Sequence, residues 1–209
     1  DSCYTTSPVH NERYWIKLAK DIEDIGATSL AIKDMAGLLR PRTCYELVKK
    51  LKKNLNIPIH LHTHSTTGLS DATNFKAYEA GIDNIDTSIS SFSNLYAHTA
   101  TESFISMMYS EENNPFDMEL LTKISVYFNE VRKKYKKYEG SMRGVDVNML
   151  TNQVPGGMLS ILEKQLLDLN KADKLKLLID EIPKIRKDVG YVPLVTPSSQ
   201  IVGAQALMN

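Results

Sequence analysis

Three histidines alternate through Ile59-His60-Leu61-His62-Thr63-His64. On an extended strand alternate residues share a face, about 6.5–7 Å apart per pair. Two imidazoles at that spacing can converge on one divalent metal, whose bonds to nitrogen are about 2.0–2.1 Å. Three in a line cannot easily reach one ion, so the pair nearest the strand's C-terminal end, His62 and His64, is the expected one, with His60 as a deeper, hydrogen-bonded residue. A second chemically loaded position is Lys33, which ends the apolar run Ser29-Leu30-Ala31-Ile32 and precedes Asp34-Met35-Ala36-Gly37. Burying its charge is costly. Three uses remain open for it: an ion pair with Asp34, an amine base or Schiff-base nucleophile, or carbamylation to an anionic oxygen ligand. Asp34 points to the opposite face of a regular strand, which weakens the first.

The elements that must position these residues follow a strand–helix rhythm. Residues 3–6 read as a short strand, 11–25 as a helix stopped by Gly26, and 29–33 as a buried strand. Pro41 opens a helix with Leu47, Val48 and Leu51 on one face; 58–62 is a strand, 69–80 a helix, 84–89 a strand, and a helix starts near Thr101. Strands recurring every 25–30 residues with helices between them give successive right-handed βαβ units and a parallel sheet. The fold class is α/β, as an open doubly wound sheet or a (β/α)₈ barrel. A GxGxxG turn would favour the open sheet, and none is present. Lys33, His62, His64, Ser88 and Ser90 all fall at C-terminal strand ends, where a barrel keeps its chemistry. Beyond residue 113 the pattern becomes helical: a long helix over 116–138 with Leu120, Ile124, Phe128 and Val131 as its buried face, helices over 158–169 and 171–189, and a last helix capped by Ser198 or Ser199. The expected division is a sheet-containing domain over 1–113 and an α-rich domain over 114–209.

Composition narrows the classes. The 209 residues carry zero formal net charge, which points to neither nucleic acid nor an anionic membrane surface. The basic run 132–137 reads as a solvated helix end. Two cysteines, Cys3 and Cys44, form no disulfide framework, so a cytoplasmic setting is expected. No apolar run approaches the roughly 18 residues of a membrane span. The chain opens on strand-like Asp1-Ser2-Cys3-Tyr4 and closes on helix-like Ala206-Leu207-Met208-Asn209, as expected of a piece of a longer polypeptide.

Several stretches together resemble the carboxyltransferase component of biotin-dependent enzymes, the family of pyruvate carboxylase, the oxaloacetate decarboxylase α subunit and the transcarboxylase carboxyltransferase subunit. They are Ile32-Lys33-Asp34-Met35-Ala36-Gly37-Leu38-Leu39-Arg40-Pro41, Leu61-His62-Thr63-His64, Asp86-Thr87-Ser88-Ile89-Ser90, Cys3-Tyr4-Thr5-Thr6-Ser7-Pro8-Val9-His10, Gln153-Val154-Pro155-Gly156-Gly157-Met158 and Val195-Thr196-Pro197-Ser198-Ser199-Gln200. The resemblance implies strands five to eight of a (β/α)₈ barrel followed by the start of a conserved carboxylase domain. It implies a zinc, manganese or cobalt ion held by carbamylated Lys33, His62 and His64, with a fourth ligand, an aspartate, in a first strand outside this chain. Met35 and Ser88 would face the substrate, pyruvate or oxaloacetate, and biotin would arrive on a partner domain or subunit. Where many members carry a proton-shuttling threonine, alignment on Thr101-Glu102-Ser103 places Tyr96; Tyr96, His98 and Thr101 are the candidates for that role, and His98 is similar to a histidine of the transcarboxylase branch. Two other readings compete. One is a metal-dependent aldolase-like lyase or acyl-CoA Claisen-condensing barrel enzyme. The other is a non-catalytic assembly module, because half a barrel exposes two sheet edges and should pair with its missing half or with a second copy.

Overall fold

The computed structural model describes residues 1–209. A four-stranded sheet runs in the order β1 (Ser2–Cys3), β2 (Leu30–Asp34), β3 (Ile59–Thr63), β4 (Asn84–Ile85), every pair parallel. Between the strands lie α1 (Glu12–Asp24), α2 (Pro41–Asn54) and α3 (Ser70–Glu79). Local chemistry sets these bounds. Asn11 caps α1 by accepting the Tyr14 amide at 3.0 Å, and Gly26, at φ +91°, lets the chain leave it. Pro41 sits in the first turn of α2, where its missing N–H is not needed.

The alternation of β2 and β3 decides the layer arrangement. Leu30, Ile32, Ile59 and Leu61 are buried, and they form one core with Trp15, Ala19, Cys44, Leu47, Val48, Leu51 and Ala77 of the three helices. All three helices therefore cover one face. The other face carries Ala31, Lys33, His60 and His62, which are only partly buried. The pairing register is Lys33 opposite His62 and Ala31 opposite His60.

The strand expected over 84–89 is shorter. Ladder pairing covers only Asn84–Ile85, one more bond runs from the Asp86 amide to the Leu61 carbonyl at 2.9 Å, and Ser88 then meets Ala100 in an isolated bridge. The reason is that β4 has a strand neighbour on one side only, and β3 leaves the sheet after Thr63.

Beyond β4 follow α4 (Thr101–Met108), α5 (Met118–Lys134), α6 (Met149–Asn152), α7 (Gly156–Asp168), α8 (Leu175–Asp188) and α9 (Ser198–Met208). The last four form a second core built on Met149, Leu159, Leu162, Ile182, Val202 and Ala206. Helix α5 does not bury its expected face: Leu120 and Phe128 are exposed, and only Ser125 is buried. It leans on α4 and on the 3₁₀ turn at Ser90–Phe92 rather than on a core. The expected cap at Ser198 or Ser199 is also revised. Pro197 holds the cap position, and the Ser198 hydroxyl lies 2.7 Å from the Val195 carbonyl, closing the preceding loop.

Arg186 of α8 joins the two cores. It is 4% exposed. Its guanidinium donates to the Val192 carbonyl (2.9 Å), Gln153 Oε1 (2.8 Å), Thr5 Oγ1 (2.7 Å) and the Thr6 carbonyl (3.2 Å). A buried cation is tolerated when its donors are paired. Arg186→Met should leave those oxygens unpaired and lower stability by about 2–4 kcal/mol in urea unfolding; a loss under about 0.5 kcal/mol would reject this joint as structural.

Candidate metal centre

Lys33, His62 and Asp86 lie in adjacent positions across β2, β3 and the end of β4, on the face that α1–α3 leave uncovered. One layer deeper, His60 Nε2 lies 3.4 Å from the Asn84 amide nitrogen and takes no part in the cluster above it. His64 follows β3 directly, and its amide donates to the Asp34 carbonyl at 3.0 Å. One ring nitrogen each of His62, His64 and His98 lies within 4.8 Å of the others.

The tautomers are set by what each Nδ1 touches. His64 Nδ1 lies 2.5 Å from the Tyr96 carbonyl, and His98 Nδ1 lies 2.9 Å from the Thr63 carbonyl. A carbonyl can only accept, so both rings carry the proton on Nδ1 and leave Nε2 with its lone pair. His62 Nδ1 lies 2.8 Å from Asp86 Oδ2, and this carboxylate does the same for the third ring. Second partners of this kind orient metal-ligating histidines and raise their basicity. Burial pushes the His64 pKa down to about 4, helped by the charges of His98, His62 and Lys33 and opposed by its bond to Tyr96. His98 is also lowered, first by burial, then by His62. These rings are neutral at pH 7, the form a metal requires.

Asp34 holds the first two strand ends in register. Its carboxylate is fully buried and accepts the amides of Leu38 and Leu39, each at 2.8 Å, and the Thr63 hydroxyl at 2.9 Å. Burial raises its pKa, against the pull of those donors. It is therefore committed to the loop and to β3, not to an ion pair with Lys33. Gly37 completes the turn at φ +67°, where a Cβ would meet the His64 carbonyl at 2.6 Å.

Lys33, Met35 and His64 open onto a cavity of about 720 Å³ whose far wall is Met158, Leu162 and Gln165 of α7 and Ser199 and Gln200 of α9. Other sequence candidates lie elsewhere. The Tyr96 ring is clamped between Gly140 and Gly156, each of whose Cβ positions would fall within 2.7 Å of it, and its hydroxyl accepts the Met142 amide at 3.2 Å. Only its backbone carbonyl serves the cluster. The Thr101 hydroxyl pairs with Thr87 at 2.9 Å, one residue out of step with Asp86, so it is not brought to the histidines. Ser88 acts through its main chain, whose carbonyl takes the Thr101 amide and whose amide donates to Thr99. The placement of His98 beside the pair and the partnership of Asp86 with His62 were not read from spacing. His98 was signalled only by the resemblance, and Asp86 only as a polar residue just past β4.

Residues 5–128 match the family described as HMGL-like, and residues 149–209 match the conserved carboxylase domain. The chain is 46% identical to a pyruvate carboxylase subunit of Methanocaldococcus jannaschii, over 99% of this chain and 37% of that protein. It is 45% identical to the methylmalonyl-CoA carboxyltransferase 5S subunit of Propionibacterium freudenreichii subsp. shermanii, over 99% of this chain and 41% of that one. The carboxyl transferase domain of Rhizobium etli pyruvate carboxylase superposes with a TM-score of 0.94 at 32% identity, covering 99% of this chain and 36% of that chain. The chain thus spans about two fifths of the length of these two curated relatives.

Asp34→Ala should leave two buried amides and a hydroxyl unpaired and destabilise the protein by about 2–4 kcal/mol; an unchanged urea midpoint would reject the clamp. For His64, the lowered folded pKa means that its contribution to stability is complete above about 6.5 and is lost as pH falls towards about 4. The melting temperature of the metal-free protein should therefore fall across that window more steeply than that of His64→Gln; parallel curves would rule the effect out.

Proposed function

Because the chain belongs to the HMGL-like family and carries the conserved carboxylase domain, we propose that it is the carboxyltransferase part of a biotin-dependent enzyme. It moves a carboxyl group between carboxybiotin and pyruvate or oxaloacetate. The observation that carries this reading is the convergence of imidazoles with their Nδ1 protons already spent, beside Lys33 and at the mouth of a cavity shared with the 149–209 region. The first two curated relatives are both carboxyl-group enzymes by name.

The donor set fits a divalent ion. His62, His64 and carbamylated Lys33 would hold zinc, manganese or cobalt, all of which accept nitrogen and oxygen donors. Such an ion would polarise the keto-acid carbonyl and stabilise the enolate. The chain's own residues do the rest. Asp86 and the Tyr96 carbonyl fix the two rings, Asp34 fixes the Lys33–Met35 turn, and Met35 bounds the keto acid. The mixed wall of α7 and α9 bounds the other side of the cavity. Of the three residues weighed for proton handling, His98 alone faces the cluster.

The four strands are read as strands five to eight of a (β/α)₈ barrel, with a fourth, aspartate ligand on the first strand, outside this chain. A division at 113/114 separates the two cores, with α5 leaning back across it. Partners are a biotinylated carrier domain and, along the open edges of β1 and β4, either the remaining strands or a second copy. Two free cysteines suit a cytoplasmic protein. No helix is long and apolar enough to cross a membrane.

Two measurements test the proposal on the intact polypeptide. Lys33→Ala should weaken metal binding by at least about tenfold; unchanged metal content would remove the carbamate. Oxaloacetate decarboxylation should rise when free biotin is added. Biotin-independent turnover of an acyl-CoA would favour the lyase or Claisen reading instead.

A further inference from the structure

His98 is not a bystander to the His62–His64 pair. Its ring centroid lies 4.3 Å from that of His62 and 4.4 Å from that of His64, whereas those two lie 5.3 Å from each other. It is nearer to each than they are to one another.

The backbone around His98 is built to keep it there. Asn94 and Leu95 adopt left-handed φ values of 64° and 50°, a region that Asn visits readily but a residue such as Leu only when its surroundings enforce it. The turn they make closes by the Asn94 amide donating to the His98 carbonyl at 2.7 Å and the Ala97 amide to the Asn94 carbonyl at 2.8 Å. The whole turn is then fastened to the segment after β3. The Ser65 amide donates to the Ala97 carbonyl at 2.8 Å, and the Thr66 hydroxyl donates to the Leu95 carbonyl at 3.2 Å. Next to the ring, the Thr99 hydroxyl lies 3.1 Å from that of Ser70 and accepts from the Asn74 amide at 3.0 Å. The main chain on both sides of His98 is thus fixed before any ligand arrives.

The chemistry of the cluster requires something to fill it. With each Nδ1 already engaged by an acceptor, each ring keeps its lone pair on Nε2, and one nitrogen of each ring lies within 4.8 Å of the others. Lone pairs brought close in this way call for a cation or a hydrogen-bond donor between them. Imidazole nitrogen is a ligand for zinc, cobalt and similar ions at about 2.0–2.1 Å.

We propose that His98 is a direct ligand, so that His62, His64 and His98 form a three-imidazole site for a borderline divalent ion. This rests on the metal reading above but adds a residue to it, and it changes the role of His98. An imidazole whose Nε2 binds a metal cannot use that atom to relay a proton. It also draws three nitrogen donors from this chain, His62 and His64 from the end of β3 and His98 from the turn after β4.

Cobalt(II) binding to the intact polypeptide tests this. X-ray absorption of the wild-type protein should count three imidazoles around the ion. His98→Gln, whose amide can still donate to the Thr63 carbonyl, should count two, shift the visible cobalt bands and bind at least about tenfold more weakly in a chelator competition. Circular dichroism shows whether each variant is folded, and the wild-type imidazole count stands without any variant. Two imidazoles in the wild type, or a wild-type cobalt spectrum and affinity in His98→Gln while His62→Ala loses the ion, would overturn the proposal and leave the metal reading intact. Wild-type affinity in His62→Ala and His64→Ala as well would instead sink the metal reading itself.

Discussion

The arrangement depends on one buried carboxylate. Asp34 follows Lys33 at the end of β2, and its side chain gathers the amides of Leu38 and Leu39 and the hydroxyl of Thr63. Its own carbonyl takes the amide of His64. Through Thr63 it also steadies the carbonyl that orients His98. A carboxyl group in a fully buried place is unfavourable unless such donors surround it. Once they do, the ends of β2 and β3 stay at one height, and Lys33, His64 and His98 inherit their relative positions from it.

A second dependency links the site to the helical half. Tyr96 contributes its carbonyl to His64 and its ring to the seam between Gly140 and Gly156. The absence of side chains at those two glycines is what admits the ring, so the start of α7 and the orientation of a histidine are parts of one packing problem. Arg186 makes a parallel connection lower down, between Thr5 and Gln153. The conserved carboxylase domain and the HMGL-like region are therefore joined by specific side chains at two places.

Much of this was legible in the sequence because strands have a period of two. The alternation in Ile59–His64 put the alternate histidines on one face, and in the structure His60 and His62 share the half-buried face opposite buried Leu61. The βαβ rhythm was likewise enough for a parallel sheet. What spacing could not supply were contacts made across loops. His98 reaches the cluster through two residues in left-handed conformation, Asn94 and Leu95, neither of which is a glycine that would have signalled the turn. Tyr96 resembled a proton-handling residue by alignment, yet its hydroxyl is spent on Met142 because its ring direction is decided by glycines more than forty residues away. The face of α5 was misread for a simpler reason. Helical periodicity shows which residues share a side, not whether anything in the same chain covers it.

The pairing of the open face with one strand phase has an evolutionary corollary. Point substitutions along β3 alter one side chain at a time, but inserting or deleting a single residue there would turn Ile59 and Leu61 towards the cluster and His60 and His62 towards the helices. The histidine face of that strand would be lost in one event, together with the core behind it. Lineages carrying this chain should accordingly vary in length in the loops and at the helix ends, while the spacing from Lys33 to His62 and from His62 to Asp86 admits change only between strands, never within them.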